Sequence, residues 1–278
     1  MQDAFAYCAE LVRTSDRDRF ITSLFAPVER RGALQALYAF NAELARVRDL
    51  VREPLPGEIR LQWWSDVVGG GRAEEASANP VASALLATIG NQGLASATLA
   101  GLIEARRFDL YDEPMKGIAD LESYARSTSS ALIALAMQVL AGTDVPAASG
   151  PAGIAYAIAG LLRAFPLHAA RGQLYLPMDV VERHQVRLPD LFAGRSSPGL
   201  APALAELREL ARRHLAAAHE VIGALPEAAV PALLPAALVR PALDRLDQCD
   251  PFAPVEIAAW RRQWLIWRAA RNPARIAR

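Results

Sequence analysis

The chain has 278 residues, 30 of them basic and 30 acidic, so its formal net charge is zero, and 53% of it is hydrophobic. A chain of that length can bury a sizeable core in one large domain or two small ones, and without a basic excess there is no electrostatic case for a nucleic-acid partner. Its two cysteines, Cys8 and Cys249, are too few and too far apart for a disulfide framework or a metal knuckle.

Alanine and leucine dominate, both good helix formers. Apolar residues recur at spacings of three and four, and no period-two run stands out, so the pattern predicts an all-α fold. Asp3 to Arg13 reads as a first helix, broken by Thr14, Ser15 and Asp16, which can cap a short second one. Pro27 opens a long helix to about Val51. Pro54, Pro56 and Gly57 stop the chain before a helix from Glu58 to Val68, which the glycines at 69–71 end. Helices follow over Pro80 to Ile89 and Ser96 to Leu110, then one capped by Asp120 that reaches Leu140 with Gly142 beyond it. Pro151 opens the next. Gln173 to Gly199 reads as a loop with short helical turns. Helices over Ala201 to Gly223, Pro226 to Leu246 and Pro254 to Arg268 precede a basic tail. The breaks are short, and no internal repeat or low-complexity linker interrupts them, so one antiparallel helical bundle over 1–278 is expected.

The N-terminal stretch carries acids early and lacks the apolar core of a secretory signal. The longest nearly apolar run, Ala131 to Ala141, is short of the roughly 20 residues a bilayer span needs. These features point to a reducing compartment, the cytoplasm, with peripheral contact at the inner membrane left open.

Four stretches in order carry a family resemblance: RRGALQALYAFNAELARVRDLV from Arg30, RLQWWSDVV from Arg60, IEARRFDLYDEPMKGIADLESYA from Ile103, and LLRAFPLHAARGQLYLP from Leu161 to Pro177. Together they resemble the squalene/phytoene synthase family. The resemblance implies an isoprenoid synthase-type helical bundle with a central cavity, in which two prenyl diphosphates condense head to head. Diphosphate leaves readily only when cations neutralise it, and Mg²⁺ prefers hard oxygen ligands, several of them waters and phosphates. A DxxxD spacing sets two carboxylates one turn apart on one helix face. Two such helices facing across a cavity can hold the metal ions and both diphosphates.

This sequence departs from the pattern at those positions. Aligned from ALYAF, the first aspartate motif falls on Ala45, Arg46 and Asp49. Aligned back from RGQLYLP, the second falls on Ala164 and His168. Only Asp49 keeps a carboxylate. Arg163 and Arg171 remain as phosphate-gripping candidates, and Arg46 and Arg48 are added, so the mouth is expected to turn from acidic to basic. No resident cofactor is expected, Mg²⁺ entering only if the chain is an active prenyl diphosphate transferase with a displaced metal site.

The run LRAFPLHAARGQLYLPMDVVERHQV and the segment YARSTSSALIAL are similar to one branch of the family, that of complex I assembly factor 6. That likeness implies a degenerate synthase acting as a binding or assembly factor. The partner would be a respiratory complex I subunit or assembly protein, with an isoprenoid or other lipid as a further ligand of the cavity.

The ligand candidates at the cavity mouth are Arg46, Asp49, Arg163, His168, Arg171 and Tyr175. Each has a plainer reading: His168 as a hydrogen-bonded structural residue, Asp49 as the ion-pair partner of Arg46 or Arg52 on its own helix, and Arg163 and Arg171 as surface ion pairs. Ser127, Thr128, Ser129 and Ser130 either line the cavity, as the resemblance implies, or bond back to helix carbonyls. Of Trp63 and Trp64, one is expected in the core. Trp260, Trp264 and Trp267 share a helix face, and from Trp260 onward there are six arginines and no acid. That run suits an anionic membrane surface or a partner, but packing of the tryptophans on the bundle is the favoured expectation.

Overall fold

The computed structural model describes residues 2–277, and every regular element among them is helical. Helix α1 spans Gln2–Ser15. Asp16 then caps α2, Arg17–Ser23, its carboxylate accepting from the Arg19 amide at 3.0 Å. Pro27 sits just outside α3, Val28–Ala45, as its N-cap. The expected single helix to Val51 is interrupted at Arg46, after which one turn forms α4, Val47–Leu50. Proline disfavours helical geometry in the residue before it, and Glu53 is extended ahead of Pro54. Pro54 and Pro56 therefore start α5, Pro54–Val68, earlier than expected. A short helix that the pattern did not announce, α6, covers Ala73–Ala78, followed by α7, Pro80–Gln92, and α8, Ser96–Arg106.

A 3-10 turn at Arg107–Leu110 leads towards α9, Ile118–Ala125. Asp120 is not its cap residue. It lies in the first turn and its carboxylate accepts from the amides of Lys116 and Gly117. A π-helical turn, Arg126–Ser130, joins α9 to α10, Ala131–Ala141, which ends on Gly142 with a positive φ of 70°. The central helix, α11, spans Pro146–Ala170, so Pro151 falls inside it. The loop expected after Gln173 contains α12, Met178–Arg183, and α13, Leu188–Phe192. The long α14, Leu200–Ile222, follows.

The last third departs most from periodicity. Prolines 231, 235 and 241 each remove an amide donor. The stretch expected as one helix instead passes through 3-10 turns and two short helices, α15, Val230–Leu233, and α16, Val239–Leu246. Helix α17, Ala259–Arg271, starts later than expected and is followed by a 3-10 turn, Pro273–Arg275, and Arg278 lies outside the described residues.

Burial follows the apolar faces into one continuous core. Helix α11 packs along α14 on one side and against α10 and the π turn on the other, while α1, α3 and α7 pack together. Length and a mean hydropathy of 1.3 would let α11 cross a membrane, but half of its apolar window is buried by these neighbours, as suits a core helix. Its approach to the π turn is close: a Cβ at Gly153 would collide with the Ser130 backbone. Trp64 is buried edge-on to Phe40, whereas Trp63 reaches the surface and donates to Glu75 at 2.7 Å. Burial pushes the Cys8 thiol up to about 12, which keeps it protonated.

The tryptophans of α17 overturn the packing expectation. Trp260, Trp264 and Trp267 are 71%, 46% and 49% exposed, and the helix buries Ile266 and Ala269 instead.

Candidate functional site

A cavity of about 610 Å³ opens between the end of α1, the start of α2, the last turns of α3, the middle of α11 and the π turn. Two largely covered cations on its wall are each held by a carboxylate and by tyrosine. Arg19 pairs with Asp16 at 2.6 Å, and its guanidinium lies 4.9 Å from the Tyr156 ring centre and 5.7 Å from that of Tyr38. Burial works against the Arg19 charge, but Tyr156, Asp16 and Tyr38 outweigh it and raise its pKa. Burial also raises both tyrosine hydroxyls.

The second cation, Arg106, comes from the end of α8. Its Nη1 donates to Asp109 and to the Tyr124 hydroxyl, both at 3.1 Å. Asp109 also accepts from Tyr124 at 2.8 Å and from Tyr175 at 2.9 Å. Burial opposes the Arg106 charge, and Tyr124 and Asp109 outweigh it, so its pKa rises. Burial, then the charges of Arg106 and Asp109, shape Tyr124, with a net upward shift. Burial and Asp109 push Tyr175 up as well. All three hydrogen-bonding partners of Asp109 therefore carry their protons at neutral pH.

The sequence-aligned motif positions surround this wall. Ala45 and Arg46 line the cavity directly. Arg46 is its least engaged cation, half-exposed, with Glu43 the nearest carboxylate at 3.9 Å. Ala164 lies a turn beyond Gly160 on the same face of α11 by its spacing. His168, another turn on, stacks its ring 4.5 Å from that of Tyr175, and its Nδ1 is buried with no hydrogen-bond partner. Burial lowers its pKa, leaving a neutral ring. Tyr175 is engaged by Asp109 and His168 rather than presented to the cavity.

Asp49 overturns the same-helix expectation. It pairs at 2.6 Å with Arg171, joining α4 to the residue that caps the end of α11, and neither Arg46 nor Arg52 reaches it. Arg171 thus takes the ion-pair reading, while Arg163 is exposed with no carboxylate in ion-pair range among the described residues. Thr128 and Ser129 line the cavity, and Thr128 also bonds back to the Tyr124 carbonyl at 2.7 Å, so both readings of the hydroxyl run hold.

These side chains do not fit the Mg²⁺ cluster that the resemblance implies. The aligned positions offer two methyls, a guanidinium, a stacked imidazole and a carboxylate already paired with Arg171. Mg²⁺ demands several oxygens in near-octahedral array, and among the described residues no three acidic, histidine or cysteine side chains gather in a metal-holding group. What the wall can do chemically is hold an anion through Arg46, with the hydroxyls of Thr14, Ser15, Thr128 and Ser129 and the Asn41 amide beside it.

The sequence reading missed Asp16, Arg19, Arg106, Asp109 and Tyr124 as wall residues. The signal for three of them was present, since Arg106, Asp109 and Tyr124 lie in the stretch IEARRFDLYDEPMKGIADLESYA that carried the third part of the resemblance.

Comparison with known proteins follows the same line. The model of the squalene/phytoene synthase family matches residues 12–268. A rat protein named NADH dehydrogenase (ubiquinone) complex I, assembly factor 6, is 33% identical over 250 residues, covering 89% of this chain and 75% of its own. A phytoene synthase from Arthrospira platensis is 23% identical over 270 residues, covering 88% of this chain and 84% of its own. Among solved structures, a dehydrosqualene synthase bound to a ligand superposes with a TM-score of 0.81 at 18% identity, covering 96% of this chain and 95% of that one.

Proposed function

The chain belongs to the squalene/phytoene synthase family, and from that membership we propose that it is a member without prenyl-transfer chemistry. It serves assembly of respiratory complex I at the cytoplasmic face of the inner membrane, and its cavity holds a lipid or isoprenoid with an anionic head. One observation carries the loss of chemistry: the single carboxylate left at the aligned motif positions, Asp49, is already paired with Arg171. The rat relative named as a complex I assembly factor supports the assembly role. The basic wall supports the ligand class. Arg19 and Arg106 are held by their own carboxylates, so Arg46, whose pairing with Glu43 is long at 3.9 Å, is the cation best placed to meet a phosphate, with hydroxyls around it and Leu11, Ala157 and Leu161 to meet an apolar tail.

Two measurements test this. Purified protein incubated with farnesyl or geranylgeranyl diphosphate and Mg²⁺ is expected to release no pyrophosphate. Release that stops with EDTA would overturn the reading in favour of an active transferase. Deletion of the gene is expected to lower NADH dehydrogenase activity in membranes, and unchanged activity would sink the assembly role.

A further inference from the structure

We propose that the exposed face of α17 is a docking surface for an anionic phospholipid bilayer, with Trp260, Trp264 and Trp267 entering the interface and Arg261, Arg268 and Arg271 meeting the phosphates. The proposal stands apart from the cavity and from complex I assembly, because it concerns only this helix and lipid.

At about 100° per residue, the three tryptophans fall within roughly 60° of one another, and all three are exposed. Their ridge is not a frayed end. Ile266 and Ala269 on the opposite side are buried, and Arg262 on that side is tied to Asp18 of α2 at 3.1 Å. The helix is therefore anchored to the bundle by one face and offers the other outward. Indole favours the headgroup boundary of a membrane, where its apolar ring and N–H are both accommodated.

The charges separate in the same way. Arg262, facing inward, has its carboxylate, whereas Arg261, Arg268 and Arg271 have none within ion-pair range among the described residues. The Arg268 guanidinium lies 4.2 Å from the Trp264 ring centre and that of Arg271 lies 5.2 Å from the Trp267 ring centre. Each cation is thereby held beside an indole, with N–H groups left to donate to phosphate oxygens. A chain of zero net charge has gathered six arginines and no acid from Trp260 onward, so the excess is local and asks for a negative partner there.

That local excess and the shape decide among occupants. A second copy in a two-fold contact would set the same arginines against each other. A helical peptide needs a groove, and α17 presents a ridge. A planar anionic surface satisfies the aromatic and the cationic groups together.

The test is cosedimentation of the full chain with vesicles of phosphatidylcholine alone and of an equal mixture with phosphatidylglycerol. Binding is expected only to the mixed vesicles, weakening as salt rises, with a blue shift of tryptophan emission. An arginine near an anionic leaflet contributes roughly fivefold in partitioning, so Arg268→Glu with Arg271→Glu is expected to weaken binding by at least about 25-fold. Trp260→Ala with Trp264→Ala and Trp267→Ala is expected to remove the emission shift while Trp63 and Trp64 remain as background. The tryptophans and Arg271 are exposed and Arg268 is only partly covered, so circular dichroism and melting are expected to stay unchanged. Equal binding to both vesicle types, wild-type binding by both variants, or self-association that the tryptophan variant abolishes without any vesicle binding would each overturn the proposal.

Discussion

Asp109 and Asp49 both stand near the cavity, and they are held in opposite ways. Asp109 is buried and accepts from Arg106, Tyr124 and Tyr175, which come from three separate parts of the chain. Asp49 is half-exposed and has one partner, Arg171. The first is a structural anchor whose loss strands three donors. The second is a surface bridge lying where a metal-dependent relative would need free carboxylates. A carboxylate's depth, more than its presence, separates scaffold from vestige in this molecule.

Removing Asp109 tests the contrast most severely. Asp109→Ala leaves the Arg106 charge and two tyrosine hydroxyls without their acceptor, which is expected to cost about 3–5 kcal/mol in urea unfolding. A loss below ~1 kcal/mol would erase the distinction from Asp49.

His168 sharpens it next, because it lies between the two carboxylates in character, partly buried and without an acid of its own. Its folded pKa is below the ordinary 6.5 because burial disfavours the charged ring. Between that lowered value and 6.5 the unfolded chain binds more protons, so stability falls as pH drops through this window and is unaffected by this group above it. His168→Phe keeps a ring against Tyr175 and removes the titration. The wild type is expected to lose stability relative to this variant on acidification, and parallel pH profiles would show that His168 does not titrate differently on folding.

The smallest effect belongs to the mouth. A double-mutant cycle of Asp49→Ala and Arg171→Ala is expected to give a coupling of about 0.2–1 kcal/mol that shrinks with salt. A larger, salt-insensitive coupling would make Asp49 an anchor of the same kind as Asp109.

The helices were legible where periodicity and caps act locally. Asp16 as a cap and Gly142 beyond α10 needed only neighbours to be read. Lost carboxylates at Ala45 and Ala164 were legible because a missing atom type can be read directly from the chain. What escaped was non-local. The Asp49 bridge spans 122 residues of separation, and spacing along a helix favoured Arg46 and Arg52 instead. The Asp109 cluster joins α8, α9 and the segment after α11, a convergence set by packing rather than pattern. The α17 tryptophans were misjudged because periodicity places side chains on a common face without saying whether that face meets protein or solvent.

The π turn at Arg126–Ser130 carries a constraint of another kind, on chain length. It acts as one residue inserted between α9 and α10, and it brings Thr128 and Ser129 to the cavity wall while Leu132, Leu135 and Ala136 keep their places in the core. Deleting any one residue there would let an ordinary helix run through, but would rotate one side against the other by about 100°. Either the hydroxyls would leave the wall or the leucines would leave the core. Descendants of this chain can change the letters of that segment more freely than they can change their number.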